Sequence, residues 1–247
     1  MEDTKIIVII PTLNEINNLP ILVNLIFNQD ISNLSILIVD DNSPDGTADC
    51  ASELSKIYDD KIYVLGISYK SGLANAYKEG FNWAISKGYD ILIQMDADLS
   101  HNPNYIEAMI TNLKDYDVVI GSRYIEYGKT SNKWSFFRKS ISLLGNFGIR
   151  HILAINIRDI TSGFKAFNCN AAKSINWDQI HCTGFGFQSE VTFQCYQQEH
   201  HILEMPILFE DRLYGKSKMT LTVLAETFLK ILAYRFPYIK KINISNP

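Results

Sequence analysis

Short apolar runs alternate with longer amphipathic segments through the first half of the chain. The runs are rich in β-branched residues and have the length of buried strands, at residues 6–10, 36–39, 62–66, 91–95 and 117–123. The segments between them carry apolar residues at helical spacing, over residues 19–27, 48–58, 73–87 and 103–113. Strands that alternate with helices of this length predict a Rossmann-like α/β fold, with a mostly parallel sheet covered by helices on both faces.

The alternation ends near Gly128, and the second half of the chain predicts a different arrangement. Residues 134–153 are predicted to be helical, with Trp134, Phe137, Ile141 and Leu144 along one face. The other predicted elements of this half are a strand or turn at residues 159–167, a helix at 187–199, a strand at 202–207 and a helix at 220–236. No repeat or low-complexity linker interrupts the chain, which indicates a single domain.

Two carboxylates stand directly after the fourth apolar run. Asp96 and Asp98 follow a predicted strand, and ligands of open α/β sheets bind beyond the carboxyl ends of the strands. Two hard oxygen ligands at this place predict a site for Mg2+ or Mn2+, whose coordination shell substrate phosphates commonly complete. The alternative interpretation is a polar turn over residues 98–103 that caps the next helix.

The residues after the first two strands add polar groups to the same predicted edge. These are residues 11–15 and residues 39–41, which include Glu15 and Asp41. An edge lined by carboxylates suits a nucleotide, because an acid accepts hydrogen bonds from a base N–H or a ribose hydroxyl. No GxGxxG follows the first strand, which argues against a dinucleotide-binding domain. Ser43, Asp45 and Thr47 are predicted to form a turn and a helix cap.

Several isolated residues have two interpretations. Gly72, Gly80 and Gly88 form either a flexible loop and a helix C-cap or a phosphate cradle. His101 is expected to be a structural group or one that supports a metal ligand. Four cations stand in loops or near the ends of predicted elements: Arg123, Arg138, Arg212 and Lys218. Each alone would be solvated, but together near a metal-bound diphosphate they would bind phosphate.

Composition narrows the class of protein. The chain has 247 residues and 47% hydrophobic residues, enough for a sizeable core. Its net charge of -4 comes without a long basic tract, which argues against a nucleic-acid partner. The four cysteines form no CxxC pair and are expected to be free thiols. No segment has the ~20 apolar residues of a membrane-spanning helix, and the acidic N-terminus predicts no signal peptide, so a cytoplasmic location is expected.

Eight segments together resemble the dolichyl-phosphate mannose synthases and related polyprenyl-phosphate glycosyltransferases, which belong to glycosyltransferase family 2 and have the GT-A fold. They occur in the family's order and span most of the chain. The segments are PTLNE (11–15), VDDNSPDGT (39–47), GLANAY (72–77), MDADLSHNP (95–103), GSRY (121–124), DITSGF (159–164), GFQSE (186–190) and DRLYGKSK (211–218). The DxD motif by itself is common, but the complete set is specific.

The resemblance implies a role for individual residues. Asp96, Asp98 and Arg123 would be catalytic, and the metal would be held by Asp96, Asp98 and Ser100. The lipid phosphate would be bound by Arg138, Ser142, Arg123 and Arg212. The nucleotide sugar would be bound by Pro11, Leu13, Glu15, Val39, Asp41, Asp96, Ala97, Asp98, Arg123, Arg212 and Lys218. Leu13 stands where the family usually has a tyrosine.

The implied reaction transfers mannose from GDP-mannose to a dolichyl or polyprenyl phosphate in a membrane, with inversion and with Mg2+ or Mn2+ as cofactor. Residues 1–125 would form the nucleotide-sugar-binding half and residues 126–236 the acceptor half of one GT-A domain covering residues 1–247. The protein would be peripheral on the cytosolic face of the membrane. The segments 134–153 and 228–242 would be membrane-surface helices or ordinary core helices, and a small membrane-embedded partner subunit is a further possibility.

Three other functions fit parts of the sequence. A haloacid-dehalogenase-like phosphatase also carries DxD after a hydrophobic strand, but on its first strand, whereas four strands come first here. A non-catalytic nucleotide-sugar-binding subunit would bind GDP-mannose without turnover. The same fold could also use UDP-glucose or another sugar nucleotide.

Overall fold

The computed structural model describes residues 3–58, 61–132, 134–182, 184–214 and 221–235, without the side chains of residues 137, 138 and 221–226. Lys218 and the predicted membrane segment beyond residue 235 lie outside the described residues. The strands are β1 (Ile6–Thr12), β2 (Leu34–Asp40), β3 (Ile62–Gly66), β4 (Ile91–Gln94), β5 (Val118–Ser122), β6 (Lys129–Thr130), β7 (Lys165–Asn168), β8 (Ile202–Pro206) and β9 (Leu208–Phe209). The α-helices are α1 (Leu19–Phe27), α2 (Thr47–Ile57), α3 (Leu73–Ser86), α4 (Ile106–Asn112), α5 (Phe136–Leu153), α6 (Cys169–Ser174), α7 (Phe187–Gln197) and α8 (Leu221–Arg235).

Seven strands form the central sheet in the order β3-β2-β1-β4-β7-β5-β8, and β6 pairs with β9 in a separate two-stranded sheet. Within the central sheet β7 runs antiparallel to both of its neighbours, and the other pairs are parallel. Pro11 is paired with Val39, and Ile9 with Gln94. The register therefore brings the ends of β1, β2 and β4 to one edge, as the sequence predicts.

The sheet is covered on both faces because alternate side chains of its strands point in opposite directions. Ile7 and Ile9 belong to a buried cluster that includes residues of α3, α5 and α7. Val8 and Ile10 belong to a second cluster, with residues of α1, α2 and α4. The prediction of a mostly parallel sheet with helices on both faces is thus confirmed.

Gly80 allows α3 to approach β1 closely. A Cβ atom at residue 80 would lie 2.6 Å from Cγ2 of Ile9 and 3.2 Å from Cγ2 of Val39. Gly80 is inside the helix, so both proposed roles, loop or cap and phosphate cradle, are wrong for this residue. Gly88 follows the end of α3 with φ +73°, where glycine is favoured, and the predicted C-cap is correct there.

The second half differs from the sequence prediction in detail. The long helix begins at Phe136, two residues later than predicted, and α7 ends at Gln197. Residues 159–167 divide into a turn followed by β7. Helix α6 and the pair β6–β9 were not predicted, because two-residue strands carry no periodicity of their own. The four cysteines are thiols that form no disulfide with one another, as expected.

Candidate active site

Asp96 and Asp98 lie in a tight turn at the carboxyl end of β4. The Ser100 amide donates to Oδ1 of Asp98 at 3.0 Å, and Leu99 between them has φ +64°. A left-handed conformation is unfavourable for leucine and persists only where the surrounding structure fixes it. The surrounding structure therefore holds this turn in one backbone conformation.

Three residues lie next to Asp96: Tyr77, His101 and Gly163. The Tyr77 hydroxyl donates to Oδ1 of Asp96 at 3.3 Å. The backbone amide of Asp96 donates to Nδ1 of His101 at 3.1 Å. A Cβ atom at Gly163 would lie 3.2 Å from Oδ2 of Asp96, so glycine leaves the necessary space. Burial, together with the nearby charge of Asp98, raises the pKa of Asp96 to about 7. A cation at this place would favour the ionised form.

Arg212 pairs with the second carboxylate of the motif. Its Nε lies 2.7 Å from Oδ2 of Asp98. The segment that carries Arg212 follows β9 and is fastened to the turn, because the Glu210 amide donates to the Ser100 carbonyl at 3.0 Å. The Ser131 hydroxyl also donates to Asp211 at 3.0 Å. Residues 210–212 are thereby held against the DxD turn, although they are far from it in the sequence.

The residues present suit a divalent cation with an incomplete protein shell. Ser100 is fully buried, and its Oγ has no hydrogen-bond partner among the described residues. Across all the residues that the structure describes, no group of three His, Cys, Asp or Glu side chains is arranged around a common metal position. Asp96, Asp98 and Ser100 would therefore hold the ion together with water or substrate oxygens, as is usual for Mg2+.

Arg123 is held by a carboxylate that sequence reasoning did not single out. Its Nε and Nη2 donate to the two oxygens of Asp159, each at 2.7 Å, and its backbone amide donates to Oδ2 at 2.8 Å. Asp159 has no exposed surface and Arg123 also donates to Thr161 at 3.0 Å. Burial alone would lower the pKa of Arg123, but the charge of Asp159 raises it above its usual value. Arg123 is a fixed cation at the end of β5.

Hydrogen bonds join α5 to this cation. The Tyr124 hydroxyl donates to Oγ of Ser142 at 2.6 Å. Asn146 is buried, donates to Oγ1 of Thr161 at 2.8 Å and accepts from the Thr161 amide at 3.2 Å. Ser142, one of the predicted phosphate ligands, thus lies near Arg123, whereas the side chain of Arg138 lies outside the described residues.

Asp40, the last residue of β2, and Asp41, the residue after it, have different partners. Asp40 accepts from the hydroxyls of Thr12 and Ser43, at 2.9 and 2.6 Å. Asp41 accepts from the Ser71 amide at 2.7 Å and from the Gly72 amide at 3.0 Å, so it shapes the loop before α3. Its carboxylate holds backbone amides at the edge where a nucleoside is expected.

The remaining predicted nucleotide ligands line the same edge. Glu15 accepts from Asn18 at 2.7 Å, and its amide donates to Thr47 at 3.0 Å. Pro11 and Val39 are buried and paired, and Leu13 is half-buried. These residues lie at the ends of adjacent strands, with Ala97 buried in the turn beyond β4.

A buried lysine below the site was also missed. Lys165 lies in β7 opposite Gln94 and has no exposed surface. Its Nζ donates to Oε1 of Gln188 at 2.6 Å and to the Gln188 carbonyl at 3.2 Å. Burial lowers the pKa of Lys165 to about 7. The neighbouring GFQSE motif gave a signal for Gln188, but nothing in the sequence indicates that this lysine is buried.

Helix α5 has one buried face and one exposed apolar face. Ile149 and Leu153 are 2% exposed and belong to the core. The exposed face carries four large apolar residues, with exposed fractions from 49% to 87%: Phe136, Leu143, Leu144 and Phe147. Trp134 precedes the helix and is buried against Phe209, so the prediction that it shares a face with Leu144 is wrong. The helices of the described residues include none with the length and hydrophobicity of a membrane span.

Comparisons with known proteins identify related chains. Residues 7–175 match the family model described as glycosyl transferase family 2. An undecaprenyl-phosphate mannosyltransferase of Micrococcus luteus is 37% identical over 92% of this chain and 92% of that protein. A polyprenol monophosphomannose synthase of Mycolicibacterium smegmatis is 35% identical over 92% of this chain and 85% of that protein.

Solved structures support the fold. Glucosyl-3-phosphoglycerate synthase from Mycobacterium tuberculosis, in complex with Mn2+, UDP-glucose and phosphoglyceric acid, matches with a TM-score of 0.67 and 14% identity. The match covers 94% of this chain and 80% of that one. At this identity the similarity concerns the fold alone, and it agrees with the expected GT-A architecture.

Proposed function

The chain belongs to glycosyl transferase family 2, and on that premise we propose that it transfers mannose from GDP-mannose to a dolichyl or polyprenyl phosphate. The products are polyprenyl-phosphate mannose and GDP. The observation that carries the proposal is the DxD turn, in which Asp98 is paired with Arg212 at 2.7 Å. A carboxylate pair and a cation stand side by side at the sheet edge where nucleotides bind. The names of the two relatives supply the sugar and the class of acceptor.

The donor would lie along the ends of β1, β2 and β4. Residues 1–125 form this nucleotide-sugar-binding half, with Pro11, Leu13, Glu15, Val39 and Asp41 around the nucleoside. Asp41 acts through the loop that it holds, because its oxygens accept from the Ser71 and Gly72 amides. The diphosphate would lie at Asp96, Ala97 and Asp98, and Arg123 and Arg212 would bind it. Lys218, outside the described residues, is a further proposed ligand.

Asp96, Asp98 and Ser100 would hold Mg2+ or Mn2+. The fit rests on Oγ of buried Ser100, which has no partner within the described part of the chain, and on the two adjacent carboxylates, whose mutual repulsion a cation relieves. When bound, such an ion stabilises the negative charge that develops on the departing diphosphate. Arg212, which is paired with Asp98, would also be close enough to bind the donor diphosphate.

The acceptor would approach from residues 126–236. An oxygen of the lipid phosphate attacks the anomeric carbon while the bond from that carbon to the β-phosphate oxygen breaks, which inverts the configuration and releases GDP. The phosphate has a second pKa near ~6 and needs no protein base. Arg138, Ser142, Arg123 and Arg212 would bind it. The bond from Tyr124 to Ser142 and the ion pair of Arg123 keep Ser142 and Arg123 in place, so catalysis depends on positioning.

The exposed face of α5 would rest on the membrane that contains the acceptor. An apolar helix face of this kind inserts shallowly at the headgroup boundary. We place the protein on the cytosolic side, where cysteine thiols remain reduced. A small membrane-embedded partner subunit would serve the same purpose if this face alone binds weakly.

A transfer assay tests the reaction. Labelled GDP-mannose and a polyprenyl phosphate in detergent, with Mn2+ or with EDTA, should give a mannolipid in the presence of metal only. Asp98→Asn should lower turnover about 100-fold or more. Asp115→Asn, at an exposed acid in the turn that follows α4, should have no effect. If the lipid product formed from UDP-glucose in preference to GDP-mannose, the proposal that GDP-mannose is the donor would be wrong. Binding of GDP-mannose without any product, even with membranes added, would indicate a non-catalytic subunit.

Sedimentation with liposomes tests the membrane face. Leu144→Glu with Phe147→Glu should move the protein from the pellet to the supernatant. Ile57→Glu is a matched control, because Ile57 is 70% exposed but lies on α2, among the elements of the nucleotide half. Equal sedimentation of both variants would refute a membrane role for α5.

A further inference from the structure

His101 is buried directly beside the DxD turn. It is 1% exposed, and its Nδ1 accepts the hydrogen bond from the Asp96 amide at 3.1 Å. The bond spans five residues and closes the turn that contains both carboxylates and Ser100. Because Nδ1 is the acceptor, the ring proton is on Nε2 and the imidazole is neutral.

Two aromatic rings fix the orientation of this imidazole. Phe164 stacks on it with a centroid distance of 5.0 Å and an interplanar angle of 13°. Phe209, at the end of β9, contacts it edge-on at 5.4 Å. Gly163 is also next to the ring, because an added Cβ there would be 3.4 Å from Cε1 of His101. The ring cannot rotate without disturbing these contacts, so Nδ1 is aimed at one place.

The turn needs an external support of this kind. Leu99 is held at φ +64°, a conformation that is unfavourable for a non-glycine residue. Inside the turn, the Ser100 amide bonds to Asp98, while the amide of Asp96 has its partner in His101. If that bond were lost, the Asp96 backbone would be free to turn, and its carboxylate would move with it.

We propose that His101 is a positioning residue that holds Asp96 in the geometry required for the divalent cation, through the hydrogen bond that Nδ1 accepts. The proposal rests on the metal-dependent function above. The groups that orient metal ligands commonly change metal affinity by about 10- to 100-fold when they are removed. Here the group acts on the backbone of the ligand instead of on its carboxylate.

Two substitutions separate the hydrogen bond from the packing of the ring. His101→Asn places Oδ1 where Nδ1 lies, so an acceptor is kept while the stacked ring is lost. His101→Phe keeps a ring between Phe164 and Phe209 but has no acceptor. His101→Gln is a second variant without an acceptor at the required place, because its amide oxygen extends to the position of Nε2. His201→Phe is the control, an exposed histidine before β8 at the opposite edge of the sheet.

The measurement is Mn2+ binding in the presence of GDP, followed by the electron paramagnetic resonance signal of free Mn2+. Thermal unfolding in EDTA shows first which variants are folded. We expect His101→Asn and the control to bind Mn2+ within about threefold of the unchanged protein. His101→Phe and His101→Gln should bind at least about tenfold more weakly.

Each other result contradicts a different part of the argument. Weak binding by the Asn variant with normal binding by the Phe variant would show that packing alone matters, and the proposal would be wrong. Equal affinities for all folded variants, or equal losses in the Asn and Phe variants, would overturn it as well. Absence of Mn2+ binding by the unchanged protein would overturn the proposed metal site itself, and the positioning role with it.

Discussion

The buried ion pair between Arg123 and Asp159 leads to a quantitative prediction. Asp159 has no exposed surface, and Arg123 donates three hydrogen bonds to it, from Nε, Nη2 and the backbone amide. In Asp159→Asn, one carboxylate oxygen becomes an NH2 group that faces these donors, and the guanidinium loses its counter-charge. Removal of one partner from a buried pair costs about 3–5 kcal/mol, because a charge is left uncompensated.

Urea unfolding measures this cost. With an m value of about 3 kcal/mol/M for a chain of this size, the midpoint should fall by about 1 M or more. The control is Asp178→Asn, which removes the ion pair with Lys78 on the surface. Its side chains are 34% and 87% exposed, so solvent screens the pair and the midpoint should not change measurably.

The reasoning would be refuted if Asp159→Asn shifted the midpoint no more than Asp178→Asn does. Transfer activity, measured where the variant is folded, should fall as well, since Arg123 would no longer be fixed at the end of β5. An unchanged rate with the expected loss of stability would show that the pair supports the fold but not the reaction.

Three further predictions use single substitutions. Gly80→Ala should lower the free energy of unfolding by about 1–2 kcal/mol in urea, because its Cβ would lie 2.6 Å from Cγ2 of Ile9; unchanged stability would contradict this packing. Gly163→Ala should weaken Mn2+ binding measured with GDP, since the added Cβ would crowd Oδ2 of Asp96 at 3.2 Å. Lys165 has a pKa of about 7 when folded and its ordinary value near 10.5 when unfolded, so stability should rise as the pH increases between these values. The stability of Lys165→Met should not rise with pH in this way. The same pH dependence of stability in both proteins would contradict the prediction.

Much of the fold is predictable because its signals are local. A run such as residues 91–95 is short and mostly apolar, which favours a buried strand, and the amphipathic segments between such runs indicate the α/β class. The parallel register then follows, and with it the convergence of Asp96, Asp41 and Glu15 at one edge. The exposed face of α5 was less predictable. Helical spacing shows which residues share a face of the helix, but which face is buried depends on what packs against the helix.

Several features of the site depend on pairs that are far apart in the sequence. Arg123 and Asp159 are 36 residues apart, and nothing in the spacing of either indicates the other. The antiparallel strand β7 inserts between β4 and β5 and carries Lys165 into the core, against the usual exposure of lysine. Gly80 resembled a cap in the sequence and proved to be a contact with β1.

The sequence by itself therefore determined the class of fold, the strand ends and the residue types that meet there, because periodicity and turn preferences act over a few residues. The tertiary structure alone decided how those side chains are held: Arg212 on Asp98, Asp159 on Arg123 and His101 on the Asp96 amide. Such contacts depend on burial and on exact approach between separate elements. Those quantities exist only once the chain has folded.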